Sequence, residues 1–573
     1  MAFPAQPPDL RRLSFGRESF AVSGPLALLG NASYPVSVRR LDGFATPLLS
    51  ALPSRKGALR LASVPTTKFR EDFHLRTTAH AGHTTRHESS RILAGLARKV
   101  KRETSPPAMG AGEEVSHCMQ TQAVVAATTA ALARTLSTRL QQFLSPLLVE
   151  LDATVDKRLV CTFAGTVQGI LQFRDRARGL LLSELGGVLL SPEHAPAGTK
   201  RLSNLLLSPK WRAEQIAAFL WRLASARQSE LAAAGEDALL LWDESVLEKP
   251  ESVDAHGLGS VRSSKAARLK RIKPGFYTPP GGPPVFVPGL HWLSTLLIGR
   301  SGAPVLASMR WWTSRGVLAS DRRTEEALLL RDCIREWGRG VIHIFDRGFA
   351  GAPWLLHLAG TSHYAPTGVQ ARFILRWQKK YTLLTSDGRE QKAWEIARGK
   401  PTRDRRNVPT RGGKVEQHGV LSLPVRHPDF PGLLWLVIAR PGSGREPWYL
   451  LTNEPAHAVE QAWAVIFAYA RRWQIEMAFR FGKSEMAMQS PRLWFWENRQ
   501  KLLQMACLAH AFLLSLLRPE AEHLREHLLR RFCHRTGKRS RETPAPLYRL
   551  RAALSYLWNS VFSPILPILQ NSG

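Results

Sequence analysis

Apolar positions along the chain change their spacing at Asp237. From Ala123 to about Ala233 they recur at helical intervals in AVVAATTAALARTLSTRLQQFLSPLLVEL, KRLVCTFAGTVQGILQF, RGLLLSELGGVLLS, KRLSNLLLS and KWRAEQIAAFLWRLASARQSELAA. Pro, Gly or short polar turns separate these runs, which predicts a series of helices. After Asp237 the apolar runs become short and continuous, as buried strands require. DALLLWDES predicts a strand with Asp243 at its carboxyl end, and VIHIFDRGF a second ending in Asp346. Between them, HWLSTLLIG and PVLASMRWW read as a hairpin, and TEEALLLRDCIREWG as an amphipathic helix capped near Ser320. APWLLHLAG is a short helix, and RFILRW and WYLLTN are further strands.

The order of these elements is a mixed α/β layout, interrupted from about Gln378 to Glu446 by polar, Gly/Pro-rich sequence with short strands at YTLLTS, GVLSLPV and LLWLVIAR. The predicted organisation is a basic disordered leader (1–115), a helical domain dotted with Arg and Lys that reads as DNA-binding or, more plainly, as a cap on the next domain (116–233), an α/β domain in two parts (234–377 and 447–518), a β-rich insertion between them (378–446), and a basic helical tail (519–573). The leader is poorly patterned. A start near Met109 or Met119 is one expectation for it, and a long transit peptide that keeps Glu71 and Asp72 is another.

One helical stretch carries an unusual face. In Tyr469–Lys483, YARRWQIEMAFRFGK, the residues Tyr469, Arg472, Glu476 and Lys483 project at about 0°, −60°, −20° and −40°, and Arg480 at about +20°. The opposite side, with Trp463, Phe467, Ala470, Met477, Ala478 and Phe481, is fit for burial. A carboxylate ringed by cations suits metal-dependent work on nucleic acid. The same charges, taken singly, suit a solvated face with surface ion pairs.

Composition tilts the balance. The 573 residues hold 79 Lys+Arg against 46 Asp+Glu, a formal +33. Solubility alone needs a net charge of only about 2–8 for a small domain. The excess is the footprint of a polyanion binder, and the basic stretch SSKAARLKRIKPGFYTPPGGPP could lie along phosphates. The five cysteines form no C-x-x-C, which argues against a zinc site and a disulfide framework and fits a reducing cytoplasm. The longest apolar run, Leu502–Leu517, includes Gln504 and His510 and reads as a buried helix, not a membrane span.

If the strands ending in Asp243 and Asp346 are neighbours, about 4.8 Å apart, both carboxylates emerge at one sheet edge, where open α/β sheets place their chemistry. Glu476 would reach that edge from its helix. Three carboxylates can hold two Mg²⁺ ions about 3.5–4 Å apart, one activating the attacking oxygen and the other stabilising the leaving 3′-oxygen.

LWDESVLEKP, FDRGF and YARRWQIEMAFRFGK, in this order, make the stretch from about Asp237 to Arg518 similar to DDE transposases of the bacterial insertion-sequence-four family, marked by a Tyr–Arg–Glu–Lys signature. The resemblance implies an RNase H-like mixed sheet flanked by helices, with a β-rich insertion before the last acid. It implies two Mg²⁺ ions (with Mn²⁺ as a substitute) on Asp243, Asp346 and Glu476, and cleavage and strand transfer, often through a DNA hairpin. Its partners would be double-stranded transposon ends and target DNA, bound by a homodimer in a bacterial cytoplasm, with no membrane involved. Tyr469, Arg472 and Lys483 match positions that grip phosphates near the 5′ end, with Arg480 on the same stripe. Trp448 matches an aromatic that holds a flipped base, a role that needs a π-face. A core tryptophan at a strand end is the plainer reading. Arg376 matches a DNA-contacting or site-supporting arginine. The alternatives are a catalytically silent DNA-binding descendant, in which the three acids have no task, and another RNase H-like nuclease, which needs no grip on a transposon end.

Overall fold

In the computed structural model the described residues are 111–252, 255–263, 286–363, 366–409, 415–442, 444–533 and 546–561, side chains being described from residue 126. The predicted leader, apart from the first residues of a helix, and most of the basic stretch 263–284 lie outside them. Residues 109–573 form one compact unit.

The helices predicted before Asp237 are α1 (Ala111–Asp152), α2 (Lys157–Gln172), α3 (Leu182–Leu189), α4 (Ala195–Leu207) and α5 (Ala213–Ala233). In α1, Leu132, Leu136, Leu140, Leu144, Leu147 and Leu151 recur every three or four residues and are all buried, the stripe that lets a long helix pack. Strands β1 (Ala238–Glu248), β2 (Gly259–Arg262), β3 (Phe286–Ile298) and β4 (Val305–Trp312) follow, then α6 (Arg322–Trp337), β5 (Val341–Phe345), α7 (Ala352–Ala359) and β6 (Arg372–Arg376). Asp321, not Ser320, caps α6, its carboxylate accepting from the Arg323 and Thr324 amides. Gly338, at φ 50°, ends the helix where a side chain would be strained.

The stretch 378–446 contributes β7 (Thr382–Leu384), β8 (Glu390–Lys392), α8 (Ala393–Ala397), β9 (Asp404–Pro409), β10 (Val415–His427) and β11 (Phe430–Pro441). These lead to β12 (Trp448–Thr452), α9 (Val459–Ala470), α10 (Trp473–Ser484), α11 (Trp496–Ser515), α12 (Glu522–Phe532) and α13 (Leu547–Val561). The long, mostly antiparallel hairpin β10–β11 does not stand apart: β11 pairs with β12 and β12 with β6, so one sheet runs β3-β1-β5-β6-β12-β11-β10. β4 pairs with the far edge of β3, as the predicted hairpin requires. Within the sheet, β1 is antiparallel to β3 but parallel to β5, and β5 is parallel to β6.

Side-chain alternation sorts the two faces. Leu239 and Leu241 of β1, Ile342 and Ile344 of β5, Ile374 of β6 and Leu450 of β12 point into a core shared with α1–α5 and α9–α13. Leu240, Trp242, Val341, Phe345, Phe373, Leu375 and Leu451 point into a second core with α6, α7 and α8.

Among the described residues no single helix is long and apolar enough to cross a membrane. Leu502–Ser515 is instead a buried stretch of α11, and His510 in it is 1% exposed. Burial, reinforced by the Arg551 charge, lowers the His510 pKa to about 3. A histidine with pKa about 6.5 when unfolded and about 3 when folded costs no stability at pH 7 and about 1.4 kcal/mol per pH unit between those values. The penalty therefore grows as pH falls below 6.5. Replacing His510 with Leu should reduce the loss of unfolding free energy between pH 7 and pH 5 by about 2 kcal/mol, read from urea titrations of both proteins at the two pH values. Equal losses would show that His510 is not held neutral.

Candidate active site

The β1–β5 ladder pairs Ala238 with Val341 and Leu241 with Ile344, an offset of 341 − 238 = 103. Asp243 and Asp346 differ by the same 346 − 243 = 103, so they stand abreast two residues past the last β1–β5 pair; Asp346 follows the end of β5, whereas Asp243, expected at the carboxyl end of its strand, lies inside β1, which continues along β3 to Glu248. The β5–β6 ladder pairs Ile342 with Arg372, an offset of 372 − 342 = 30, which carries the row to Arg376 beside Asp346. Asp243, Asp346 and Arg376 have the parity of Leu241, Ile344 and Ile374, so all three belong to the face covered by α9 and α10. Trp448, two residues before Leu450, shares that face from β12.

The helical stretch over this face is not one helix. It ends at Ala470 and restarts at Trp473, and the turn between is held by i→i+3 bonds from Arg471 to Ala468 and from Arg472 to Tyr469. The break rotates α10 relative to α9 and changes which residues are covered. Trp463, Ala478 and Phe481 are buried as predicted, but Phe467 and Met477 are exposed, and Ile475 and Phe479 take their place in the core. α10 lies close to the sheet because Gly482 faces Trp292 of β3. A Cβ at Gly482 would come 2.7 Å from the indole, so only glycine fits without a shift.

The break puts Arg472 among the acids. Its guanidinium donates to Asp243 Oδ2 at 3.3 Å and to Glu476, one turn on. It also lies 5.9 Å from the centre of the Tyr469 ring. The Tyr469 hydroxyl donates to Asp346 Oδ1 at 3.4 Å. Trp448 packs on the Tyr469 ring at 5.3 Å and on His418 at 5.2 Å. Lys483 Nζ donates to Ser245 Oγ at 2.6 Å, on the same face of β1 as Asp243. Of the nine residues singled out from the sequence, eight lie in this neighbourhood. Arg480 does not join them: it is exposed on α10 and pairs with no acid among the described residues.

Charge in the cluster is unevenly satisfied. Burial pushes the Asp243 carboxyl up to about 6, against the pull of Arg472 and of the Glu244 amide, with Asp346 and Glu476 adding to the rise. Burial also raises the Tyr469 phenol, while Arg472 and Arg376 pull it the other way. For Arg472 burial acts to lower the pKa, but Tyr469, Asp346, Asp243 and Glu476 outweigh it and the guanidinium stays charged. The donor set is chemically apt for a hard divalent cation, three carboxylates with little compensation besides one arginine. No group of three or more His, Cys, Asp or Glu among the described residues is closed around a metal position; Arg472 instead bridges Asp243 and Glu476. As placed, the three acids do not form a group that could hold a metal ion; one bound there would need that guanidinium to move off Asp243 and Glu476.

On the other face of β1, Glu244 pairs with Arg322 at 2.6 Å, and Arg322 and Arg323 both pair with the fully buried Glu326. Sequence reading passed over these residues. The available signal was an acid directly after Asp243 and an Arg-Arg pair opening α6, three and four residues before another acid.

No protein-family model matches the sequence, and no curated protein matches it. Among solved structures, the chain is similar to a piggyBac transposase in a cryo-EM structure of its synaptic complex with hairpin DNA, at 12% identity and a TM-score of 0.34, over 78% of this chain and 86% of that one. At that level the likeness carries no argument about the site.

Arg472→Met would leave Asp243 and Glu476 partly buried without their counter-ion, at a cost of about 2 kcal/mol after allowing for partial exposure. Adding Glu476→Gln should recover roughly half of it. Urea denaturation of the two single variants and the double variant measures both figures; additive losses would mean that the two side chains do not interact.

Proposed function

We propose that the chain is a DDE transposase that binds the ends of a mobile element, cleaves them and joins them to target DNA. The observation that carries this reading is the row of Asp243 and Asp346 just past the last pair between adjacent parallel strands, with Glu476 tied to Asp243 through Arg472 over the same face. Strand order supports an RNase H-like core: β4-β3-β1-β5-β6, the first three antiparallel and the last three parallel. The net charge of +33 supports a nucleic-acid substrate.

In this reading Asp243, Asp346 and Glu476 are the metal ligands. When bound, two Mg²⁺ ions, or Mn²⁺ in their place, would supply Lewis-acid activation of the attacking oxygen and stabilisation of the departing one. The chain's own cations do the rest. Arg472, released from the acids, and Lys483 take phosphate oxygens, and Tyr469 holds Asp346 in place through its hydroxyl. Arg376 adds positive charge beside Asp346. Trp448, half-buried against Tyr469, offers an aromatic face at the border of the site. The partner is double-stranded DNA, and two copies acting on paired ends are the expected assembly.

A duplex carrying the chromosomal sequence that flanks the gene, incubated with the full chain and Mg²⁺, tests the reading. Wild type should nick it, EDTA should stop the reaction, and Glu476→Gln should slow it on the order of a thousandfold or more while leaving DNA affinity unchanged. Cleavage by Glu476→Gln at the wild-type rate, or cleavage that persists in EDTA, would overturn the assignment. DNA binding without cleavage by wild type would leave the silent, transposase-derived binding protein.

A further inference from the structure

Asp243 and Asp346 lie beyond the last rung of their ladder. Pairing between β1 and β5 stops at Leu241 and Ile344, two residues short of each acid. Asp243 is still held within β1 by its pairing with β3, but Asp346 follows the last residue of β5, so no rung joins the two acids and a second tie between their segments is found on the opposite face.

That tie is Arg322, the first residue of α6. Its guanidinium reaches the Glu244 carboxylate at 2.6 Å, one residue after Asp243, and the Gly348 carbonyl at 3.5 Å, two residues after Asp346. Arg323 reaches the same carbonyl at 3.4 Å. Arg322 is 5.5 Å from the centre of the Phe349 ring, and Phe349 is anchored against Trp242, Phe345 and Trp354. Glu326 is 0% exposed and accepts from Arg322 at 2.8 Å and from Arg323 at 2.6 Å. A buried carboxylate paired with two arginines holds both in one orientation. Asp321, capping the helix, fixes its first turn.

Resting on the function proposed above, we infer that Arg322 and Glu326, with Glu244, are positioning residues that set the distance between the Asp243 and Asp346 carboxylates from behind the sheet. Arg322 touches no reacting group. It acts through Glu244 on Asp243 and through the Gly348 carbonyl on the turn that follows Asp346. Partners that orient metal-binding side chains typically change metal affinity or activity by about 10–100-fold when removed.

The test compares full-length wild type with Arg322→Met, Arg322→Lys and Glu326→Gln in three measurements: Mn²⁺ binding by electron paramagnetic resonance without DNA, duplex affinity, and single-turnover cleavage at saturating duplex. Arg322→Met should weaken Mn²⁺ binding and slow cleavage by about 10–100-fold, with duplex affinity near wild type, all read well below a thermal midpoint that the loss of a partner to buried Glu326 lowers. Arg322→Lys, which keeps the charge, should recover part of both, and Glu326→Gln should fall between. Wild-type Mn²⁺ affinity in Arg322→Met overturns the inference. So does a loss of cleavage that tracks thermal midpoint in every variant, with Lys no better than Met, since a purely structural role behaves that way. A wild type that neither binds Mn²⁺ nor cuts overturns this inference together with the proposed function; an active wild type with an indifferent Arg322→Met overturns this one alone.

Discussion

The parallel pairing of β1 with β5 is the constraint on which the candidate site depends. A parallel ladder has one register for a given set of buried faces, because a one-residue slip would turn Leu239 and Leu241 away from one core and Leu240 and Trp242 away from the other. With both faces buried, that slip is forbidden, and the offset of 103 that aligns Leu241 with Ile344 also aligns Asp243 with Asp346. The acids thus owe their alignment to apolar residues two positions upstream. Arg376 enters the row by the same route, through the β5–β6 register.

Asp243 and Asp346 stood out in the sequence because each follows a short apolar run, although β1 continues past Asp243 to Glu248; Glu476, Arg472 and Lys483 stood out by their helical spacing. The break between α9 and α10 was not legible, since neither Gly nor Pro marks Arg471–Arg472 and each half has good helical spacing. A continuous helix would give one stripe of charge; in the broken one Arg472 meets Asp243 and Glu476, while Arg480, on the same α10 as Glu476 and Lys483, lies exposed at the edge of the stripe. The extent of β10 and β11 was also hidden. Their polar, Gly/Pro-rich flanks read as an insertion with short strands, while the pairing of β11 with β12 depends on contacts far apart in sequence.

Arg472 is held where cationic charge is most needed and where a divalent ion would compete with it. Its partners Asp243 and Glu476 are part-buried, and an unpaired carboxylate at that depth costs several kcal/mol less when protonated than when charged only if no cation is near. The rise of Asp243 to about 6 despite the arginine indicates that one guanidinium does not fully compensate the group. Under the proposed function such a cluster would exchange one counter-ion for another, and the neighbouring hydroxyl of Tyr469 holds Asp346 without adding a second fixed positive charge.

The two faces of the sheet divide the work. On the α9–α10 face the acids are left with few partners and substantial negative charge. On the α6 face Glu244 and Glu326 are tied by Arg322 and Arg323, and the aromatic group of Trp242, Phe345, Phe349 and Trp354 packs beside them. Because β1 alternates its side chains, Asp243 and Glu244 sit one residue apart on opposite faces, and on the α6 face burial and the neighbouring Glu326 push the Glu244 carboxyl up to about 8 against the pull of Arg322. The ion pairs and aromatic packing stiffen the α6 face, while the α9–α10 face carries carboxylates whose charges are only partly cancelled. A site that paired its acids as fully as Glu326 is paired would be more stable and would have nothing left to offer a metal.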